Sequence, residues 1–203
     1  MQQPKFAERK FVSVDPSKCT GCGICEYACT LEKGETGNPL RSRIRIIRMM
    51  PLVNFALTCR FCEDAPCVKA CPEKALVQSE KTGMLMVKEK QCKGCDWCIQ
   101  ACPHGGIVLH PDTGIVIACD LCNGEPKCIE ACPEEALDTV TSDEAAEKQF
   151  TDAMEKLPAE TERLTQAVKS KDWKPMLADA EKRALKVTEK LEALNKIAKN
   201  KKQ

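Results

Sequence analysis

Sixteen cysteines stand in four groups of four, and the spacing inside each group is nearly constant. The first (Cys19, Cys22, Cys25, Cys29) and the third (Cys92, Cys95, Cys98, Cys102) read Cys-x2-Cys-x2-Cys-x3-Cys. The second (Cys59, Cys62, Cys67, Cys71) and the fourth (Cys119, Cys122, Cys128, Cys132) lengthen only the middle gap. Proline follows the last cysteine of three groups, as Pro72, Pro103 and Pro133, whereas Thr30 takes that place in the first. Three thiolates at two-residue intervals lie on one tight loop and can wrap three corners of a [4Fe-4S] cube, while the fourth reaches a different cube. At four thiolates per cube, sixteen cysteines hold four [4Fe-4S] clusters with none left over. The chemistry on offer is one-electron transfer.

Two other uses of cysteine fit less well. Disulfide scaffolds of this density are secreted and usually shorter than about 100 residues. Here Met1 to Lys10 is polar and charged, without an apolar stretch or twin arginine of an export signal, so a reducing cytoplasm is expected. Structural zinc sites pair two cysteines, then two more after a longer spacer, and do not crowd three into seven residues. Gly21, Gly23 and Gly94 keep the loops free of side-chain bulk and permit positive φ.

The chain must position these groups with little conventional core. Only 4% of its 203 residues are aromatic, so the clusters themselves are expected to organise the cysteine-rich part. A net charge of +1 offers no field for nucleic acid or a membrane surface, and no run of apolar residues is long enough to span a bilayer. Lys10 to Val14 reads as a short strand into the first group. Thr30 to Thr58 is an insertion, with a turn around Gly34 to Pro39 and then the alternating Arg43-Ile44-Arg45-Ile46-Ile47-Arg48 of a half-buried strand. Arg41, Arg43, Arg45 and Arg48 read as a solvated face, as a docking surface for an acidic partner, or as charge compensation beside anionic clusters.

After the second and third groups one unit occurs twice: Cys-Pro, a short strand, a Thr-Gly turn and a return strand. It covers Ala75 to Val77 with Met84 to Val87, then Gly106 to Leu109 with Ile115 to Ala118. A last strand is expected near Ala136 to Val140. Composition changes at Thr141, where Thr141 to Glu144 fits a capping box. Beyond it, Pro158 and Pro175 divide a cysteine-free tail into helices 143–157, 159–170 and 175–199. Leu177, Ala184, Leu191 and Ala198 recur every seven residues, with Ala180, Val187 and Leu194 at the offset position. This seam suits packing on the chain's own core, or association with a partner or another copy. The lysines at 196, 199, 201 and 202 suit a helix C-terminus.

Cys59-Arg-Phe-Cys62 with Ala65-Pro66-Cys67, Cys92-Lys-Gly-Cys95 and Cys119-Asp-Leu-Cys122 resemble the four-cluster, polyferredoxin-like electron-transfer subunits. These accompany molybdopterin or tungstopterin oxidoreductases, hydrogenase-linked formate enzymes and carbon monoxide dehydrogenase. The arginine–isoleucine insertion is most similar to subunits serving tungsten aldehyde oxidoreductases and their benzoyl-CoA reductase relatives. The resemblance covers about residues 10–140. It implies an α+β fold of two nested bacterial dicluster ferredoxin-like modules with short β-hairpins, an inner one at about 59–118 and an outer one from 10–29 plus 119–140. Residues 1–140 would form the four-cluster domain, and 141–203 an all-α extension for interaction or oligomerisation.

The resemblance also implies crossed ligation. One cluster falls on Cys19, Cys22, Cys25 and Cys132, a second on Cys119, Cys122, Cys128 and Cys29. A third falls on Cys59, Cys62, Cys67 and Cys102, and a fourth on Cys92, Cys95, Cys98 and Cys71. Sequential pairing of the groups, first with second and third with fourth, stays open. The implied partners are a catalytic tungsten- or molybdenum-pterin subunit and a ferredoxin or flavin subunit at the other end. A free-standing polyferredoxin, or a subunit of carbon monoxide dehydrogenase or hydrogenase, is the alternative.

No catalytic residue is expected in this chain. Every cysteine is used, and no phosphate loop or dinucleotide fingerprint occurs. His104 would lie beside a cluster, as a packing or surface residue or a tuner of potential, and His110 would be exposed. Lys18, Arg60, Lys93 and Lys127 are the cations expected near clusters.

Overall fold

The structure, a computed structural model, describes residues 6–35, 37–50 and 53–200. Met1 to Lys5 of the N-terminal reading, and Lys201 and Lys202 of the C-terminal one, lie outside the described residues.

Among the described residues, four two-stranded antiparallel sheets and six α-helices make a mixed α+β fold. The two repeated units are β-hairpins: β4 (Leu76–Gln78) with β5 (Leu85–Val87), and β6 (Ile107–Leu109) with β7 (Val116–Ala118). A third hairpin, β2 (Arg45–Met50) with β3 (Val53–Leu57), is built by the insertion. The arginine–isoleucine alternation predicts only the first of its two strands.

The remaining sheet joins the two ends of the cysteine-rich chain. β1 (Phe11–Val14) pairs with β8 (Leu137–Val140), Phe11 opposite Val140 and Val14 opposite Leu137. Phe11 is fully buried, and the guanidinium of Arg9 lies 4.9 Å over its ring. Four helices carry or precede the cysteines: α1 (Ile24–Glu32), α2 (Pro66–Lys69), α3 (Trp97–Gln100) and α4 (Lys127–Ala131). α1 packs against α4, and α2 against α3. The proline after the fourth cysteine explains why α2, α3 and α4 stop before that cysteine, since the residue before proline is pushed out of the helical region. With Thr30 in that place, α1 runs three residues past Cys29.

The tail departs from expectation in two respects. α5 (Asp143–Ser170) runs through Pro158 instead of breaking there. Pro158 is exposed, so water can serve the Met154 carbonyl left without its donor. Its N-cap is Ser142, not Thr141: Ser142 Oγ accepts from the Ala145 N–H at 3.2 Å, so no capping box forms. Pro175 lies in the first turn of α6 (Lys174–Asn200), where its missing N–H has no helical partner to lose.

α5 begins on the β1–β8 sheet, with Phe150 edge-on to Phe55 at 6.2 Å and Ser13 Oγ donating to Gln149 Oε1 at 2.6 Å. α6 uses only half of its heptad seam. Val187, Leu191 and Leu194 pack on Ile24, Ala28 and Ala131 of α1 and α4, whereas Leu177 and Ala184 are exposed. Tyr27 donates to Asn195 Oδ1 (2.8 Å), and Lys190 Nζ to the Glu130 carbonyl (2.8 Å). Replacing Leu191 by Asp is expected to cost about 2 kcal/mol and free α6. Limited trypsin digestion should then cleave within 182–199 while iron is retained; unchanged cleavage would show that this contact does not hold α6.

Candidate functional site

The cysteines gather in fours, each set drawn from two groups distant in sequence. One cavity is lined by Cys19, Cys22, Cys25 and Cys132 (site 1), another by Cys59, Cys62, Cys67 and Cys102 (site 3). A third is lined by Cys71, Cys92, Cys95 and Cys98 (site 4). Cys29, Cys119, Cys122 and Cys128 lie close enough to act on one another's ionisation (site 2). All sixteen cysteines are free thiols.

The loops owe their shape to backbone N–H groups turned toward sulfur. Between the first two cysteines of each group the second residue has positive φ: Gly21, Phe61, Gly94 and Leu121. That conformation aims the N–H of Gly21 at Cys19, of Phe61 at Cys59 and of Leu121 at Cys119. Glycine is thus convenient but not obligatory here, since Phe61 and Leu121 hold the left-handed region at some cost. At Gly94 it is obligatory for a second reason: a Cβ would lie 2.5 Å from the Gly114 carbonyl oxygen.

A second turn serves the fourth cysteines. After Cys71-Pro72 and Cys132-Pro133, Lys74 and Glu135 adopt positive φ, and the next N–H, of Ala75 or Ala136, donates to the cysteine sulfur at 3.3 Å. Cys29 has no trailing proline and no such turn. Its sulfur accepts instead from the N–H of Arg43, also at 3.3 Å, delivered by the insertion from fourteen residues away.

Burial sets the ionisation of these thiols. It pushes Cys119 up to about 12, with Cys29, Asp120 and Cys122 adding and the Leu121 N–H opposing. It likewise lifts Cys67 to about 12 and Cys98 to about 11, and drives Cys25, Cys59 and Cys128 higher still. Thiols buried in this way stay neutral unless cations compensate them, so the sets that hold them fit a group that brings its own positive charge. Among the described residues no three His, Cys, Asp or Glu side chains converge tightly enough to hold a single metal ion. Zinc, with bonds of about 2.3 Å to sulfur, needs such convergence. The wider sets and their inward N–H groups fit [4Fe-4S] cubes, and sixteen cysteines fit four of them.

Protein cations adjoin three sites. Arg48 Nε donates to the Gly21 carbonyl (2.9 Å), and its charge favours the Cys19 thiolate. Lys33 does the same for Cys122 while bonding Asp120 Oδ2 at 2.6 Å. Arg9, 7% exposed, favours the Cys62 thiolate and donates to the Arg60 carbonyl (3.0 Å) and Asp143 Oδ2 (2.8 Å). Of the expected cations, Lys18 and Lys93 are exposed, and Arg60 pairs with Asp143 at 3.7 Å. Lys127 Nζ is engaged by Glu125 and Glu130, though its backbone N–H serves Cys122. Arg9 and Lys33 carried no local signal in the sequence, because only the fold brings them to sulfur.

Both histidines can now be placed. His104 is half-buried beside site 3, where burial and the charges of Arg60 and Arg9 hold its pKa below the ordinary value despite Asp143 and Asp64. His110 is not exposed as expected: only 14% of its side chain reaches solvent, with Nε2 3.3 Å from Glu35 Oε1. Glu35 also pairs with Arg41, which bonds Asp112, so the start of the insertion is fastened to the β6–β7 turn. No helix among the described residues is long and apolar enough to cross a membrane.

Thiolate ligation displaces the protons that burial holds on Cys67, Cys98 and Cys119. Cluster assembly into iron-free chain is therefore expected to strengthen from about pH 7 to about pH 9 and to release protons. Anaerobic reconstitution in weak buffer checks this, and assembly indifferent to pH would contradict it.

Comparison with known proteins points to the same kind of cofactor. Residues 50–142 match the 4Fe-4S dicluster domain family, and residues 11–30 a 4Fe-4S binding domain. The polyferredoxin-like subunit of aliphatic sulfonate oxidoreductase from Pyrococcus furiosus is 43% identical over 133 residues, covering 66% of this chain and 77% of that one. The electron transport protein HydN of Escherichia coli is 35% identical over 153 residues, covering 63% of this chain and 86% of HydN. The beta subunit of NADH-dependent phenylglyoxylate dehydrogenase from Aromatoleum evansii is 39% identical over 134 residues, covering 64% of this chain but only 30% of that subunit. With its cysteines gathered in fours and these relatives beside it, the chain belongs to the [4Fe-4S] ferredoxin-like electron-transfer subunits of oxidoreductase complexes.

Proposed function

We propose that this chain relays single electrons through four [4Fe-4S] clusters held at sites 1 to 4, between a catalytic oxidoreductase subunit and a second redox partner. Each cluster supplies reversible one-electron exchange with little change of geometry. The observation that carries the reading is the order in which the sulfurs adjoin. Cys25 of site 1 feels Cys128 of site 2, and Cys59 of site 3 feels Cys119 of site 2. Sites 3 and 4 share the packed pair α2 and α3, which carry or precede cysteines of both. The sites thus follow one another as 1, 2, 3, 4. Cys22 and Cys95 are the exposed cysteines, and they belong to sites 1 and 4, the two ends.

In this reading residues 1–140 form the four-cluster domain, with an inner module of about 59–118 nested in an outer one of 10–29 plus 119–140. The β1–β8 sheet and the packing of α1 on α4 support the outer module, and α2 on α3 the inner one. Residues 141–203 form a helical extension that braces the outer module. Loops carrying the cysteines orient the clusters by N–H donation to sulfur, and the exposed cysteines stand only at the two end sites. The catalytic partner is a tungsten- or molybdenum-pterin enzyme of the cytoplasm, a choice supported by the likeness of the arginine–isoleucine insertion to subunits of such enzymes.

Crossed ligation is tested by Cys132→Ser. Anaerobic alkylation and mass spectrometry should find Cys19, Cys22 and Cys25 newly labelled, over a hundred residues away. Labelling of Cys119, Cys122 and Cys128 instead would refute the sets. The function itself is tested by anaerobic affinity purification from the native host with metal analysis. A stoichiometric large partner carrying tungsten or molybdenum, with about sixteen irons on this chain, is expected. Nickel would redirect the assignment to carbon monoxide dehydrogenase or hydrogenase, and recovery of the chain alone would make it a mobile polyferredoxin.

A further inference from the structure

The insertion between the first two cysteine groups does more than lengthen the chain. Its residue Arg43 touches site 2 through the backbone. Its backbone N–H donates to Cys29 Sγ at 3.3 Å, in the role that Ala75 plays for Cys71 and Ala136 for Cys132. Its side chain is half-buried, with Nη1 out of solvent and without a hydrogen-bond partner among the described residues, as are Nε of Arg41 and of Arg45. The neighbouring arginines spend their charge otherwise. Arg48 bonds the Gly21 carbonyl, Arg45 Nη2 the Leu40 carbonyl, and Arg41 the carboxylates of Glu35 and Asp112.

The surroundings of site 2 fix what the Arg43 charge does. Asp120 stands between Cys119 and Cys122, and its Oδ1 accepts the Cys122 N–H at 3.1 Å. Burial raises the Asp120 carboxyl, but Lys33, the Cys122 N–H and the Arg43 charge outweigh it and hold it below the ordinary range. The Lys33–Asp120 contact of 2.6 Å is a closed ion pair of no net charge. Arg43 is the cation left over. A half-buried guanidinium that closes no ion pair among the described residues is better accommodated when a neighbouring group takes on negative charge.

We propose that Arg43 is the potential-setting residue of site 2, raising the reduction potential of the cluster there through its N–H on Cys29 and its half-buried charge. The inference rests on the assignment of the four-cysteine sets as cluster sites. It makes the insertion a tuning element of the relay, and gives site 2 a cationic bias that Asp120 partly offsets. Arg43 is therefore a positioning and tuning residue, since it touches the ligand sulfur and not a substrate.

The test is a redox titration of the full chain, monitored by electron paramagnetic resonance at low temperature, for the unsubstituted protein and three variants. In Arg43→Ala, one of the four midpoint potentials should fall by a tenfold or greater change in the one-electron equilibrium, about 59 mV. Arg43→Lys should restore most of the shift, since it keeps a positive charge while the backbone N–H on Cys29 is present in every variant. Asp120→Asn should move the same component upward. A merely structural Arg43 would alter thermal stability or iron content and leave the midpoints in place. Unshifted midpoints in Arg43→Ala, or Arg43 and Asp120 variants that move different components or move one in the same direction, would overturn the proposal. If Arg43→Ala loses iron, a match between Arg43→Lys and the unsubstituted protein, with the upward shift in Asp120→Asn, supports it, and an unmoved Asp120→Asn overturns it. An unsubstituted chain that assembles far fewer than about sixteen irons would overturn the four-cluster assignment, and this inference with it.

Discussion

Sulfur burial is the constraint on which the rest of the structure depends. Cys25, Cys29, Cys59, Cys67, Cys98, Cys119 and Cys128 are among the buried residues of the core, where other domains of this size place leucine or phenylalanine. Thiols crowded in fours resist ionisation, yet ligation needs thiolates. The fold answers with N–H groups turned inward on each loop and, at three sites, with a cation brought from elsewhere in the chain. The positive φ values at Phe61, Lys74, Leu121 and Glu135 follow from that requirement, and they persist because the surrounding turns hold them.

The same requirement explains the long-range architecture. Each set of four sulfurs takes members from two groups, so the loops must be brought together across the chain, and the β1–β8 sheet and the α1–α4 contact do this for the outermost pair. Arg9 adds a fastening where three segments meet: it reaches the Arg60 carbonyl, Asp143 at the start of α5 and the Phe11 ring. The helical tail is tied in at both ends of its length, by Asp143 and Phe150 at one and by Val187, Leu191 and Leu194 at the other. It therefore contributes to the outer sites, although it contains no cysteine.

The insertion shows how a missing signal is compensated. Proline after the fourth cysteine ends a helix and starts a turn that returns an N–H to sulfur. Where Thr30 replaces it, α1 continues, and the chain travels out to residue 43 before an N–H comes back to Cys29. The alternating arginines are thereby divided among different tasks. Arg41 makes a surface fastening, Arg45 and Arg48 support carbonyls, and Arg43 gives its backbone N–H to Cys29.

Much of this was legible in the residues, and the part that was not has a common cause. Cysteine spacing determined the cofactor type and count, because the loop that wraps a cube is local and tolerates few lengths. The hairpins after Cys71 and Cys102 and the strand after Cys132 were readable for the same reason, each being a short unit with its own turn chemistry. The tertiary structure alone decided which thiols share a site, since that depends on β1 meeting β8 and α1 meeting α4 across more than a hundred residues. It decided that α5 passes Pro158, because local propensity yields where a freed carbonyl faces water. It decided that His110 is enclosed, and that Arg9, Lys33 and Arg43 stand near sulfur. Sequence determines ligands when the bonds they make are close along the chain; charges act through space, and only folding sets those distances.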